Sequence, residues 1–237
     1  MLNKIFTLML NPAIDVTACC DAFEMGKENR VITENIDAGG KAVNVSRVLR
    51  RFDIDAPSVI LLGADNADQY LNKLKEENIS TAVIKVPGRI RENISILTPD
   101  GKITRLIRKG FTVSKSSLEI VKTEIVKRCG KDTCCVISGS LPSGMVEEEL
   151  EDICLEIKKT GALIALDTRV IKKERLLNIK PFIIKPNDEE FAELTGADAE
   201  NIGDMKAKAL ELIKSGISNV ILSLGTRGMM YLSEGGA

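Results

Sequence analysis

The sequence predicts an α/β protein: a doubly wound, mostly parallel β-sheet with helices on both faces, and a small β-sheet lid beside it. Three observations predict this. Short apolar runs are hydrophobic at consecutive positions, as in strands covered on both faces. They alternate with stretches whose apolar residues recur at helical spacing, the pattern of a parallel sheet wound with crossover helices. Two segments, about 15–36 and 91–108, break that alternation with strand-like runs and no helix. The expectation is one domain over 1–237, with those two segments as its lid.

The first apolar run, KIFTLML (4–10), reads as a buried strand. Segment 15–36 follows as the first part of the lid. After Gly39-Gly40 a helix is expected, with Val45, Val48, Leu49 and Phe52 as its apolar stripe. SVILLG (58–63) is the next buried strand. In 91–108, two period-2 runs are joined by Pro99-Asp100-Gly101, a hairpin turn. A helix over 116–129 then leads to the strand CCVISG (134–139). Leu150, Ile153, Cys154 and Ile157 form a second helical stripe before the strand ALIALD (162–167). FIIK (182–185) is a strand that opens a helix, and 205–216 is a helix stopped by glycine before VILSL (220–224).

With 33 basic and 34 acidic side chains, the net charge of −1 gives no global attraction for nucleic acid. An anionic ligand must therefore be held by a local cluster of cations. Cysteines 19, 20, 129, 134, 135 and 154 show no zinc spacing, and adjacent pairs are poor disulfide partners. Reduced thiols and a cytoplasmic location are the expectation. The absence of histidine excludes a histidine base, and no apolar run approaches the ~20 residues of a membrane span.

Several short stretches carry chemistry. Gly39-Gly40-Lys41 at a helix start is not a Walker A loop, because Asn35 and Ala42 break that pattern. The glycine pair suits either a tight turn or close approach of an oxygen-rich ligand to bare backbone N–H groups. Asn44, one turn into the helix, would add an amide to the same polyhydroxyl ligand. Asp15 follows the first strand, where open parallel sheets bind ligands; it fits a bidentate acceptor of sugar hydroxyls or a solvated cap. Arg91 and Arg105 lie on the two arms of the hairpin, with Arg89 and Arg108 nearby. They suit a phosphate, or a solvated basic edge that blocks strand aggregation. In KPNDEE (185–190), Asn187 and Glu190 fit a capping box, or a hydrated magnesium ion with Lys185 near phosphates. SLGTRG (223–228) offers two glycines and a hydroxyl for approach to a nucleotide.

Taken together and in order, NPAIDVT, NRV, AGGKAVNVSRVL, VISGSLPSG, IIKPNDEE and VILSLGTRG resemble the PfkB-type, ribokinase-like carbohydrate kinases. The likeness is to the branch holding 1-phosphofructokinase and tagatose-6-phosphate kinase. It implies a ribokinase-like fold whose β lid commonly forms a homodimer contact. It also implies transfer of the ATP γ-phosphoryl to a sugar phosphate, with Mg2+. Carried over by position, Asp15, Gly39, Gly40, Lys41 and Asn44 would hold the sugar, and Ser140 would line its pocket. Lys27, Arg91 and Arg105 would face the substrate's phosphate or the transferring phosphoryl. Lys185, Asn187 and Glu190 would serve phosphates and magnesium, and Ser223, Gly225 and Gly228 would border the nucleotide.

The resemblance departs in three places. No GAGD-type motif, which supplies the family's aspartate base and anion hole, occurs in the 237 residues. Ala42 stands where glycine is usual, and Asp167-Thr168-Arg169 stands where Ser-Gly usually follows the aspartate. Without the first, turnover at most slow is the expectation, since a positioned base typically contributes about 10²–10⁴-fold. The alternative is a non-catalytic sugar-phosphate-binding protein of the same fold.

Overall fold

The computed structural model describes residues 4–235. In chain order the strands of its larger sheet are β1 (Lys4–Met9), β4 (Ser58–Gly63), β5 (Thr81–Val86), β8 (Thr133–Ser138), β9 (Leu163–Asp167), β10 (Ile183–Ile184), β11 (Asn219–Ser223) and β12 (Met229–Ser233). They lie in the order β12-β11-β10-β9-β8-β1-β4-β5, parallel except for β12. From β1 the chain winds outward to β5, then returns to β8 on the other side of β1. The order therefore reverses between β1 and β8, and a crevice is expected at the carboxyl ends of those strands.

Helices α1 (Lys41–Arg51), α2 (Ala67–Glu76), α3 (Lys115–Val126), α4 (Glu147–Lys159), α5 (Lys173–Ile179), α6 (Asp188–Thr195) and α7 (Ile202–Lys214) cover the sheet. Successive residues of β1 point to opposite faces, so Met9 joins a cluster with α1 and α2, while Phe6 and Leu8 join the larger core with α3 and α4. The expected stripe of α4 is fully buried. The sequence reading omitted β5 and β12 because they are the two edges of the sheet. Half-covered edge strands lack a continuous apolar run.

The expected stripe of α1 is corrected by the structure. Val48 and Phe52 are 50% and 71% exposed, and the buried face is Ala42, Val43 and Ser46. Small residues let α1 lie close on β1, where the Thr7, Ser46 and Ser58 hydroxyls form a buried chain with 2.9 Å links. Each hydroxyl has a partner, which offsets the cost of burying it.

The lid is a separate four-stranded sheet in the order β3-β2-β6-β7, from β2 (Ala13–Cys20), β3 (Val31–Gly39), β6 (Arg91–Leu97) and β7 (Ile103–Ile107). Register places Asp37, Asp15, Asn93 and Ile107 in one cross-strand row, and Asn35, Thr17, Ser95 and Arg105 in the next. Paired residues share a face, so one side of the lid is largely polar. Ile14 and Ala38 point the other way and are buried against α1 and α2.

Candidate active site

The carboxyl ends of the parallel strands bring together residues far apart in the chain. At the crevice, Asn11 after β1 donates from Nδ2 to the Ser140 hydroxyl at 3.0 Å and to the Leu141 carbonyl at 2.9 Å. This ties the loop after β8 to the end of β1 and sets Ser140 at the rim.

The Asp15 carboxylate lies over the bare face of Gly39. A Cβ built at Gly39 would sit 2.0 Å from Asp15 Oδ2, so glycine is required by the chain's own carboxylate. Asn93 Nδ2 donates to Asp15 Oδ1 at 2.8 Å and fixes its orientation. Gly40 has φ +142°, and a Cβ there would meet Met9 Cε at 2.1 Å. Behind the loop, the Tyr70 hydroxyl donates to the Gly39 carbonyl at 2.9 Å. Arg47 donates to the Ala38 carbonyl at 2.8 Å and to Asn44 Oδ1 at 2.7 Å, with its fork on Glu77. The glycine pair is thus a tight turn whose bare faces are filled by Asp15 and Met9, with the Ala38 and Gly39 carbonyls held from behind.

Arg91 begins β6, beside Ala13 in register, and donates to the Asn11 carbonyl at 3.3 Å. Burial pushes its guanidinium below the ordinary value, opposed by the charge of Asp15, and its Nε is buried without a partner. Arg105 pairs with Ser95 and is exposed. Ser95 lies four positions from Arg91, about 13 Å along the strand, so the two arginines start from well-separated backbone positions. Arg89 and Arg108 are engaged by Glu92 instead. Lys27 is also not brought to the site. It pairs with Glu24 in the loop beyond Cys20, and Cys20 is about 17 Å along β2 from Asp15.

Lys41, expected among the sugar ligands, reaches the other way. Its ammonium lies 3.8 Å from Asp167 Oδ1 and 3.9 Å from Glu190 Oε1. Lys185 Nζ lies 3.7 Å from the same Asp167 oxygen. Asp167 ends β9 and takes a hydrogen bond from Ser138 on Oδ2 at 2.9 Å, while its buried Oδ1 has no hydrogen-bond partner. Asp167 is the site residue that the sequence reading left uninterpreted. The signal was there, in an aspartate at the end of a strand that the alternation had already identified. Its neighbour Arg169 forks onto Glu193 beside a cleft of about 390 Å³ that also touches Glu190.

Asn187 and Glu190 form a reciprocal capping box at the start of α6: Asn187 Oδ1 accepts from Glu190 N at 2.8 Å, and Glu190 Oε2 accepts from Asn187 N at 3.1 Å. That leaves Glu190 Oε1 directed to Lys41, so the structural and functional readings use different oxygens of one carboxylate. Ser223 bridges to Asn187 at the end of β11. Gly225 (φ +58°) and Gly228 (φ +90°) follow, with open space where their side chains would be. Arg227 between them is turned away onto Asp188 at 2.9 Å. Among the described residues, no group of three or more acidic, cysteine or histidine side chains converges, and no helix is long and apolar enough to cross a membrane.

Residues 7–237 match the model of the pfkB family carbohydrate kinases. The chain belongs to that family. Among pfkB relatives, it is 30% identical over 236 residues to 1-phosphofructokinase of Escherichia coli K12, covering 100% of this chain and 76% of that protein. It is 34% identical over 227 residues to a tagatose-6-phosphate kinase of Staphylococcus epidermidis, covering 94% and 73%. Its fold matches the crystal structure of Escherichia coli phosphofructokinase-2 in complex with fructose-6-phosphate, with TM-score 0.89 and 22% identity over 99% of this chain and 78% of that one. The ribokinase-like architecture and the kinase family are therefore established together.

Proposed function

We propose that this chain transfers the γ-phosphoryl of ATP to a hydroxyl of a sugar phosphate, with fructose 1-phosphate and tagatose 6-phosphate the first substrates to test. The observation that carries the reading is Lys41, whose backbone follows the glycine pair beside Asp15 while its ammonium stands between Asp167 and Glu190. It joins a half suited to hydroxyls to a half suited to phosphates. Asp15, Gly39, Gly40, Asn44 and Ser140 bind and orient the sugar. Arg91, the half-buried arginine of the lid, takes the sugar's own phosphate. Lys41 and Lys185 neutralise the transferring phosphoryl, and Ser223, Gly225 and Gly228 border the nucleotide. Such a site works by positioning and charge neutralisation.

The buried Oδ1 of Asp167, which has no hydrogen-bond partner, and the Glu190 oxygen outside the cap, near Lys41, are hard donors that fit magnesium, which keeps most of its waters and takes one or two carboxylates. Asp167 and Glu190 would hold it, with Asn187 fixing Glu190. Magnesium bound there would help neutralise the charge of the phosphates. No residue of these 237 is assigned as the base. A homodimer through the lid is part of the proposal: Val31, Ile32, Ile103 and Ile107 are all more than half exposed on its two outer strands, a surface suited to a second copy.

Calorimetry with each sugar phosphate tests the sugar half without requiring turnover. Saturable binding of at least one, abolished by Asp15→Ala, is expected. Failure of both to bind folded protein would overturn the reading.

A further inference from the structure

We infer that Arg47 is a positioning residue for the sugar: it locks the Asn44 side-chain amide with its NH2 group turned away from the guanidinium and toward the ligand. The inference rests on the proposed sugar-phosphate site and deepens it.

The guanidinium has five N–H donors and no acceptor. Whatever Asn44 presents to it at 2.7 Å must therefore be the amide oxygen, which leaves Nδ2 as the group available to a ligand. A lone exposed asparagine can present either end. Asn44 cannot, because Arg47 is itself fixed. Its fork is taken by Glu77, at the C-terminal end of α2, with one N–H bond of 2.7 Å and a second through Nε. Its remaining contact is the Ala38 carbonyl at 2.8 Å. The two side chains are 23% and 35% exposed, so the fork is partly shielded from water. The Glu77 carboxylate raises the Arg47 guanidinium above its ordinary value, consistent with a persistent charged pair.

This arrangement gives the sugar half a defined polarity. Asp15 can only accept hydrogen bonds when ionised, whereas the locked Asn44 amide can only donate toward the ligand. A ligand must therefore bring a hydroxyl hydrogen to one side and an oxygen lone pair to the other. Arg47 lies three residues beyond Asn44 in the glycine-led stretch, whereas Glu77 lies outside it, and their link spans 30 residues.

The test is a double-mutant cycle read by calorimetry on the full chain, with fructose 1-phosphate and tagatose 6-phosphate as probes. Arg47→Lys keeps the charge and loses the fork. Losing an oriented hydrogen bond should weaken sugar-phosphate binding about tenfold, with ATP affinity changed by less than about twofold. In an Asn44→Ala background, Arg47→Lys should cause almost no further loss, because the residue through which it acts is gone. A further tenfold loss in that background would overturn the inference, as would an equal fall in ATP affinity. If Arg47→Lys does not fold, Glu77→Gln takes its place. It loosens the fork, and its smaller loss, about threefold, should likewise vanish without Asn44. Unchanged sugar-phosphate affinity in the folded single variant, with wild-type binding intact, would overturn the role of Arg47 alone. No wild-type binding of either probe would overturn the proposed site and this inference with it.

Discussion

The two halves of the site are built by different means. On the lid side, Asp15 is clamped between Asn93 and the face of Gly39, while Tyr70 and Arg47 hold the loop from behind. On the nucleotide side, Gly225 and Gly228 offer bare backbone with open space around them, and the nearest arginine is turned away onto Asp188. The first half is formed before any ligand arrives, and a small displacement there costs affinity directly. The second is a surface that a nucleotide completes. A Cβ is intolerable in one half and has room in the other.

The largest expected effect separates the two lid arginines. Arg91 is half-buried beside Asp15, with one nitrogen unpartnered, whereas Arg105 is exposed on an edge strand. Arg91→Ala should weaken sugar-phosphate binding by about 2–5 kcal/mol, the range for truncating one partner of a buried charge pair. Arg105→Ala should change it by less than about threefold, as for a solvated charge. Calorimetry giving equal losses would put the phosphate between the two strands and undo the contrast. The glycines give the next effect. Gly39→Ala must displace the Asp15 carboxylate, and misplacement of about 1 Å at a binding site can cost about 10²-fold. Gly225→Ala meets no neighbour and should cost only about 1–2 kcal/mol of stability for its left-handed backbone, with sugar-phosphate affinity unchanged. Thermal melts beside the titrations check both.

What could be read from the sequence follows the same division. Strands β1, β4, β8, β9, β10 and β11 were legible because burial on both faces writes a continuous apolar run, and the lid because its period differs. Asp15, the glycine pair and Asn44 were legible as a short motif, and the capping box of α6 as a spacing of three. The roles of Arg47, Tyr70 and Glu77 were not. Their links reach across 9 to 31 residues of chain, between the turn before α1, α1 itself and α2, and no local pattern marks that. The direction of Lys41 was missed for a related reason: motif membership places its backbone with the sugar, but a four-carbon stem lets the charge cross to Asp167. The stripe of α1 failed because Ala42, Val43 and the Ser46 hydroxyl, not its largest apolar residues, face the sheet.

The smallest effect is the one that divides cap from charge within a single residue. Glu190 uses Oε2 to accept from the Asn187 N–H and directs Oε1 to Lys41. Glu190→Gln keeps an oxygen for the cap but removes the negative charge. The helix start should therefore survive, and thermal stability should stay close to that of the wild type. If magnesium is held there through water, the magnesium dependence of nucleotide binding should weaken by a few-fold, about the effect of altering one outer contact to the ion. Asn187→Ala does the reverse: it deletes the side-chain oxygen that receives the Glu190 N–H and should cost about 1 kcal/mol of stability. Any loss in magnesium dependence there should come only through a loosened Glu190. Titrating ATP at several magnesium concentrations, with melts on the same samples, separates the two. If Glu190→Gln lowers stability as much as Asn187→Ala and leaves magnesium dependence untouched, Glu190 is a helix cap and nothing more. The metal would then have to rest on Asp167, whose buried oxygen would be the next to replace.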